Sequence, residues 1–148
     1  MQRLLPPILV VLCIIAMVVL YRTVPAGEIL PVPYNYVIGV PLFFAGLGLG
    51  LYAARQFARV RTNIKTFNKP NVLVTDGAFR FTRNPMYLGF AIALLGLAIK
   101  LNVWPPFIIV AAFVLITHFW YIRFEERMAA ETFGDAYETY RGKTRRWI

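Results

Sequence analysis

Four uncharged apolar runs, residues 4–21, 36–54, 86–99 and 103–122, most constrain how this chain folds. A helix crosses the roughly 30 Å hydrocarbon core of a bilayer with about 20 apolar residues, and about 17 is the lower limit. The chain is 59% hydrophobic and 16% charged, whereas an ordinary soluble domain is about 45–50% apolar and about 25% charged. The sequence therefore predicts an all-α integral membrane protein with about four transmembrane helices.

The basic residues predict the orientation of these helices. Among sixteen lysines and arginines, only Arg22 and Lys100 lie in the short segments that follow the first and third runs. Because cytoplasmic segments are enriched in Lys and Arg, four spans with both termini cytoplasmic satisfy this distribution. The net charge of +9 is thus explained by topology and by attraction to membrane lipids, and we expect no nucleic-acid partner. In a prokaryote the protein would be a multi-pass protein of the cytoplasmic membrane.

The runs also predict how the helices are connected. Only about four residues, around Pro105 and Pro106, separate the last two runs, so these helices form a tight hairpin. Gly46 and Gly50 lie one turn apart in the second run, a spacing that lets helix backbones approach closely. We expect that contact within the chain rather than in a homodimer, and the oligomeric state stays open.

The first run has one alternative interpretation, a cleaved signal peptide, because Arg3 precedes it and residues 24–26 loosely fit a cleavage site. Its apolar stretch of about 18 residues exceeds the usual 7–15, so we expect a retained helix. Residues 1–148 then form a single membrane domain. Residues 1–54 contain two spans, and residues 55–148 contain a polar loop, the hairpin and a cytoplasmic tail.

Polar chemistry is confined to residues 55–85 and 121–148. One cysteine, Cys13, and one histidine cannot build a four-ligand zinc site, so we expect no metal. Pro85 stands where the third helix begins, Asn84 is a candidate N-cap, and Arg80 and Arg83 are three residues apart. A helix N-terminus beside two guanidinium groups favours a carboxylate or phosphate ligand. The alternative is that both arginines extend to lipid phosphates.

The end of the fourth run carries a second polar group. In a regular α-helix His118, Tyr121 and Glu125 share one face. Glu125 is expected either to accept hydrogen bonds from a ligand or to form an ion pair with Arg80 or Arg83. His118 is either a proton acceptor or a neutral side chain bonded to the helix. For the tail that follows, packing or anchoring at the membrane interface is the expected role.

Several short motifs occur together in the second half of the chain. They are Gly77, the segment Arg-Asn-Pro-Met-Tyr-Leu-Gly at 83–89, the acidic pair 125–126 after the hairpin, and Phe-Gly at 133–134 followed by Tyr137 and Tyr140. In combination they resemble the isoprenylcysteine carboxyl methyltransferase and phospholipid methyltransferase superfamily of integral membrane enzymes. The resemblance covers about residues 71–147. It implies S-adenosylmethionine bound from the cytoplasmic side and a lipid-like acceptor.

The resemblance also implies which residues contact the cofactor. Arg83, together with the start of the third helix, is our candidate for the methionyl carboxylate, and Glu125 for the ribose hydroxyls or the ammonium group. The cofactor-binding residues expected in this way are Asn71, Val72, Leu73, Val74, Phe79, Arg83, Asn84, Pro85, Met86, Tyr87 and Glu125.

Two departures from the superfamily leave the acceptor undetermined. Asn84 replaces a histidine of the isoprenylcysteine enzymes, and Tyr121 replaces their substrate-binding arginine. Tyr121, Arg80 and Arg123 are therefore the candidate substrate-binding residues, and no catalytic residue is assigned. The acceptor is an isoprenoid thiol, an isoprenoid carboxylate or a lipid amine.

Two other functions compete with an S-adenosylmethionine-dependent methyltransferase. One is a non-catalytic membrane module that keeps an anion or lipid site. The other is an NADPH-dependent membrane reductase, although the chain has no glycine-rich dinucleotide fingerprint.

Overall fold

The structure, a computed structural model, describes residues 6–59 and 71–148. Arg3, Arg61, Lys65 and Lys69, which contribute to the predicted topology, lie outside these residues. The five helices of the described part are α1 (Pro6–Thr23), α2 (Tyr34–Arg59), α3 (Pro85–Leu101), α4 (Pro105–Phe133) and α5 (Asp135–Lys143). A 3₁₀ turn (Gly77–Arg80) precedes α3, and α4 contains a π-helical stretch (Thr117–Ile122). The predicted all-α architecture is confirmed.

Three helices are long and apolar enough to cross a membrane, namely α1, α2 and α4. The remaining predicted span, residues 86–99, forms α3. Its 17 residues extend about 26 Å at roughly 1.5 Å per residue. Large apolar side chains cover the outside of α1, as expected for a surface that faces lipid rather than water. They are Ile8, Val11, Leu12, Ile15, Val18 and Val19. The protein is therefore a multi-pass integral membrane protein.

The predicted hairpin between α3 and α4 is confirmed, since only residues 102–104 connect the two helices. Asn102 adopts a left-handed conformation (φ 62°), and its N–H donates to the carbonyls of Ala98 and Ile99. Pro105 begins α4, a position where a missing N–H costs little. The helix then continues past the predicted end of the span, because no helix-breaking residue occurs before Gly134.

Glycines bring α2 and α3 into direct backbone contact. A Cβ atom on Gly46 would lie 2.3 Å from the backbone nitrogen of Ala93 and 2.5 Å from the carbonyl oxygen of Gly89. Further along the pair, a Cβ on Gly39 would lie 2.7 Å from the carbonyl oxygen of Gly96. The expectation that these glycines pack within the chain is confirmed.

The central core joins α1 to the hairpin. Cys13 and Met17 of α1 are buried with Leu94 of α3 and Phe113 of α4. Cys13 is thus the packing residue that its apolar surroundings predict. Since α1 packs mainly against α4, it belongs to the bundle.

The α2–α3 contact predicts a position-specific effect of adding one methyl group. Gly46→Ala should lower the stability of the protein by about 1–3 kcal/mol, because backbone atoms fill the space that the Cβ needs. Gly48→Ala is the matched control, since nothing lies within 4 Å of a Cβ at that position. Thermal unfolding in detergent measures both. Equal unfolding temperatures for the two variants would contradict the packing described here.

Candidate functional site

The loop before α3 is fixed by the last turns of α2. The Gln56 side chain accepts a hydrogen bond from the Ala78 N–H (3.1 Å) and donates to the Asp76 carbonyl (3.2 Å). Gly77 has a φ of +58°, and a Cβ there would lie 1.9 Å from the Gln56 amide nitrogen. Only glycine satisfies both the left-handed backbone and the close approach.

Phe79 anchors the same loop. Its ring is 4% exposed and packs edge-on against Phe57, with 4.8 Å between the ring centroids. Val74 is buried in the same cluster, and Met86 packs against it. Three of the predicted cofactor residues therefore form the apolar support beneath the loop in this structure.

The third helix begins where the sequence predicts, but the Asn84 side chain does not bond to its first turn. Asn84 occupies the N-cap and Pro85 begins the helix, as predicted. The Asn84 side chain, however, makes no capping bond. Its Nδ2 donates instead to the carbonyl of Arg146 (3.0 Å), and its backbone N–H donates to the Thr82 hydroxyl (3.2 Å). The Asn84 amide nitrogen holds the C-terminal tail, so Asn84 is the predicted N-cap by position only.

A carboxylate between two guanidinium groups joins α3, α4 and the tail. The Oε1 atom of Glu126 lies 2.9 Å from Arg83 Nη2, and its Oε2 lies 2.5 Å from Arg146 Nη2. The Glu126 side chain is 12% exposed, so water screens these charge-assisted hydrogen bonds little. The cluster of Arg83, Glu126 and Arg146, called here the arginine–glutamate cluster, carries a net charge of +1.

Arg83 is used entirely within the protein. Its Nε also donates to Glu126 Oε1 (3.1 Å), and its Nη1 donates to the carbonyls of Thr144 and Arg141. The ion pair with Arg83 that the sequence suggested for Glu125 is therefore formed by Glu126. In this arrangement Arg83 holds the tail, and no nitrogen of its guanidinium is left without a protein acceptor.

Glu125 makes a separate contact with α3. The Tyr87 hydroxyl donates to its Oε1 at 2.9 Å. The Tyr87 ring lies 6.2 Å from that of Tyr121, and both tyrosines are 5% exposed. Arg83 precedes α3 and Tyr87 lies in its first turn, so the neighbouring glutamates join α4 to both sides of the helix start. The predicted site residues gathered at this junction are Arg83, Asn84, Tyr87, Tyr121 and Glu125.

The π-helical stretch divides the polar stripe predicted for α4. A π-helix bonds residues i and i+5 and has wider turns than an α-helix, so the spacing that placed His118 with Glu125 does not hold. His118 Nδ1 accepts a hydrogen bond from the Trp147 indole (3.0 Å), and its Nε2 lies 3.3 Å from Arg146 Nη1. His118 thus contacts the tail, while Tyr121 contacts Tyr87.

The tail packs on the site instead of leaving it. The Arg83 N–H donates to the Arg145 carbonyl (2.9 Å), and the Thr82 hydroxyl donates to the Arg146 carbonyl (3.2 Å). Of the two roles expected for this segment, packing is the one the structure shows. Three residues of the junction were not predicted as site residues, namely Glu126, Arg146 and Trp147. The tail reaches this place partly through its backbone carbonyls, and a sequence pattern does not show where backbone carbonyls bind.

Two tyrosines fix α5 beneath this junction. The Tyr140 hydroxyl donates to the Phe79 carbonyl at 2.6 Å, and burial raises its pKa, so it remains a donor at neutral pH. Burial, followed by the negative charge of Glu126, raises the pKa of Tyr137 to about 12. Both hydroxyls are therefore uncharged at neutral pH.

The remaining predicted residues lie at the periphery. Asn71 and Val72 are exposed and Leu73 is half-buried. Arg80 is exposed at the end of the 3₁₀ turn. Arg123 is exposed, with its guanidinium carbon 6.0 Å from the centroid of Phe119.

Comparisons with known proteins show two similarities. A family model described as phospholipid methyltransferase matches residues 34–136. A 79-residue segment is 38% identical to protein-S-isoprenylcysteine O-methyltransferase of Schizosaccharomyces pombe. The match covers 51% of this chain and 32% of that relative, so the chain spans about a third of the relative's length. No solved structure matches the chain.

The arginine–glutamate cluster predicts that the tail depends on Glu126. Glu126→Ala should lower stability by about 3 kcal/mol, because it leaves two partly buried guanidinium groups without a counter-charge. It should also speed trypsin cleavage after Lys143, Arg145 and Arg146. Limited proteolysis and thermal unfolding in detergent measure the two effects.

Glu138→Ala is the matched control for this variant. Glu138 pairs with Arg141 at 3.4 Å, and both side chains are about half exposed. Such a pair contributes less than about 1 kcal/mol. Identical cleavage rates in the Glu126 and Glu138 variants would contradict the role given to the cluster.

Proposed function

The chain belongs to the phospholipid methyltransferase family, and on this basis we propose that it transfers a methyl group from S-adenosylmethionine to a lipophilic acceptor at the cytoplasmic face of the membrane. The observation that carries the proposal is the junction at which Tyr87 donates to Glu125 while Arg83 pairs with the neighbouring Glu126. It brings a carboxylate, two aromatic rings and the start of a helix together at one end of the hairpin.

The residues at this junction suit the chemical groups of the cofactor. S-adenosylmethionine supplies an electrophilic methyl group on a sulfonium, together with an ammonium, a carboxylate and two ribose hydroxyls. Glu125 is an acceptor for an ammonium or hydroxyl donor, and Tyr87 holds one of its oxygens in place. The rings of Tyr87 and Tyr121 offer π faces, which attract a cation within about 6 Å of the ring centroid.

The arginine–glutamate cluster has a positioning role in this proposal. Its net positive charge and the N-terminus of α3 both favour an anion near Asn84 and Pro85. Arg83 contributes through that field and through its hold on the tail, since all of its nitrogens donate within the protein. This revises the direct contact with the methionyl carboxylate expected from the sequence.

Methyl transfer requires little else from the protein. The acceptor attacks the methyl carbon in line with the carbon–sulfur bond, the bonding pair stays on sulfur as that bond breaks, and an acceptor that carried a proton releases it. The enzyme therefore has to align the acceptor and exclude water. The tail, folded over the start of α3, and the buried Phe79 beneath the loop limit access of water to the junction.

The acceptor reaches Tyr121 from the lipid-facing side in this proposal. Large apolar side chains beside it on α4 are exposed, which gives a lipid chain a surface to follow. They are Leu115, Ile116, Phe119 and Trp120. The name of the fission-yeast relative indicates an isoprenylcysteine acceptor and the family name a phospholipid. A thiol, a carboxylate or an amine on a lipophilic chain fits this approach, with Arg80 or Arg123 as counter-charge for a carboxylate.

Binding of the cofactor should depend on Glu125 and Tyr87. Glu125→Gln should weaken S-adenosylmethionine binding about tenfold, equivalent to about 1.4 kcal/mol, because the ammonium or ribose loses a charged acceptor. Tyr87→Phe should have a smaller effect in the same direction, since only the orientation of Glu125 is lost. Equilibrium binding of labelled S-adenosylmethionine to the purified chain measures both changes.

Glu131→Gln is the control, because Glu131 is an exposed glutamate of the same helix. Methyl transfer to a membrane lipid extract is followed in parallel, and the labelled product identifies the acceptor. Unchanged binding in the Glu125 variant would contradict the site. Saturable NADPH binding in place of S-adenosylmethionine would indicate a reductase, and absence of any labelled lipid a non-catalytic module.

A further inference from the structure

A polar cavity lies at the end of the bundle opposite the proposed methyl-transfer site. Its volume is about 480 Å³, and it is enclosed by the end of α1, the α1–α2 loop, the start of α2 and the end of α3. Lys100, which lines it, lies roughly 20 Å along α3 from Tyr87 at about 1.5 Å per residue. The cavity is therefore separate from the proposed methyl-transfer site.

Asn102 builds one wall of this cavity. Its Oδ1 accepts a hydrogen bond from the Leu30 N–H (2.8 Å), and its Nδ2 donates to the Leu30 carbonyl (2.8 Å). Its own carbonyl accepts from the Ile29 N–H (3.1 Å). The α1–α2 loop is thus fixed to the hairpin, and the cavity has a defined shape.

Asn35 supplies an unsatisfied acceptor to the lining. The residue is 3% exposed, and its Nδ2 donates to the Lys100 carbonyl at 3.1 Å. Within the described residues, its buried Oδ1 accepts no hydrogen bond. Buried polar atoms are normally satisfied, so an orphan acceptor indicates that a donor comes from outside the protein.

The charged residues of the lining complement an anion. Arg22, Lys100 and Glu28 all line the cavity, and none of them forms an ion pair within residues 6–59 and 71–148. Their net charge is +1. Arg22 and Lys100 are also the two basic residues that depart from the predicted cytoplasmic distribution, so topology does not account for them.

We propose that this cavity binds the headgroup of a phospholipid that carries a phosphodiester and hydroxyl donors, as a phosphoglycerol headgroup does. The phosphate lies between Arg22 and Lys100, one hydroxyl donates to Asn35 Oδ1, and Glu28 accepts a second. A single negative charge matches the net charge of the lining. A choline headgroup has no donor for Asn35, and an ethanolamine headgroup makes the lipid electrically neutral. Val32 and Tyr36, which also line the cavity, are exposed and would contact the acyl chains.

The test compares lipids with the same acyl chains. The full chain in a non-ionic detergent is titrated with phosphatidylglycerol, phosphatidylethanolamine or phosphatidylcholine, and bound lipid is counted by native mass spectrometry. Phosphatidylglycerol should bind at least tenfold more tightly than either of the other two. Equal binding of the three lipids, or tighter binding of phosphatidylethanolamine, would overturn the proposal.

Substitutions of lining residues test whether phosphatidylglycerol binds in this cavity. The double variant R22Q/K100Q should reduce phosphatidylglycerol binding at least tenfold. The control R127Q/K143Q removes the same charge from exposed positions beyond the other end of the hairpin and should bind as the parent does. Asn35→Leu should reduce the preference for phosphatidylglycerol over phosphatidylcholine, because the headgroup hydroxyl loses its acceptor while Arg22 and Lys100 still attract the anionic lipid. If R22Q/K100Q and R127Q/K143Q bind alike, the site is elsewhere and the proposal fails.

A final titration distinguishes a lipid ligand from a soluble phosphodiester. Glycerophosphoglycerol, which has the headgroup without acyl chains, should bind at least tenfold more weakly than the lipid. Binding as tight as that of the lipid would overturn the assignment to a lipid and indicate a soluble ligand.

Discussion

The need to satisfy one carboxylate near the membrane boundary organises the functional end of this protein. Glu126 is nearly buried between Arg83 and Arg146, and a carboxylate in such a position is stable only when it is paired and hydrogen-bonded. Arg83 lies just before α3, Glu126 lies on α4, and Arg146 belongs to the tail. One ion cluster therefore fixes three segments that are distant in sequence. Glu125 can meet Tyr87 because its neighbour has already fixed the distance between the two helices.

The helices and the α3–α4 hairpin could be predicted from the sequence, because lipid gives the backbone no partner outside its own helix and a short connection keeps two helices adjacent. Apolar runs, Pro85 at a helix start and the glycine spacing around Gly46 all express local rules. The ion pairs of Glu126 with Arg83 and Arg146 could not be predicted in the same way. A π-helical stretch in α4 changes which residues share a face, and the contacts of the tail run through backbone carbonyls, which every residue type supplies.

The two ends of α3 present different chemistry on one rigid element. Its first turn lies beside a carboxylate and aromatic rings, which suit a cationic sulfonium. Its last turn places Lys100 beside Arg22 and the unsatisfied oxygen of Asn35, which suit a phosphodiester with hydroxyl groups. Since α2 packs against α3 backbone to backbone, neither end moves without the other helix.

The tail is held by the side chains of Arg146 and Trp147 and, in addition, by main-chain carbonyls, whose contacts do not depend on the side chain. The carbonyls of Arg141, Thr144, Arg145 and Arg146 are acceptors for Arg83, Thr82 and Asn84, and any amino acid presents the same oxygen. Relatives could thus diverge freely at position 145 while keeping the same chain path. Shortening the chain here removes acceptors that no substitution elsewhere restores, whereas Ile148 is 82% exposed. Substitution of Ile148 would therefore leave the hydrogen bonds of the junction intact.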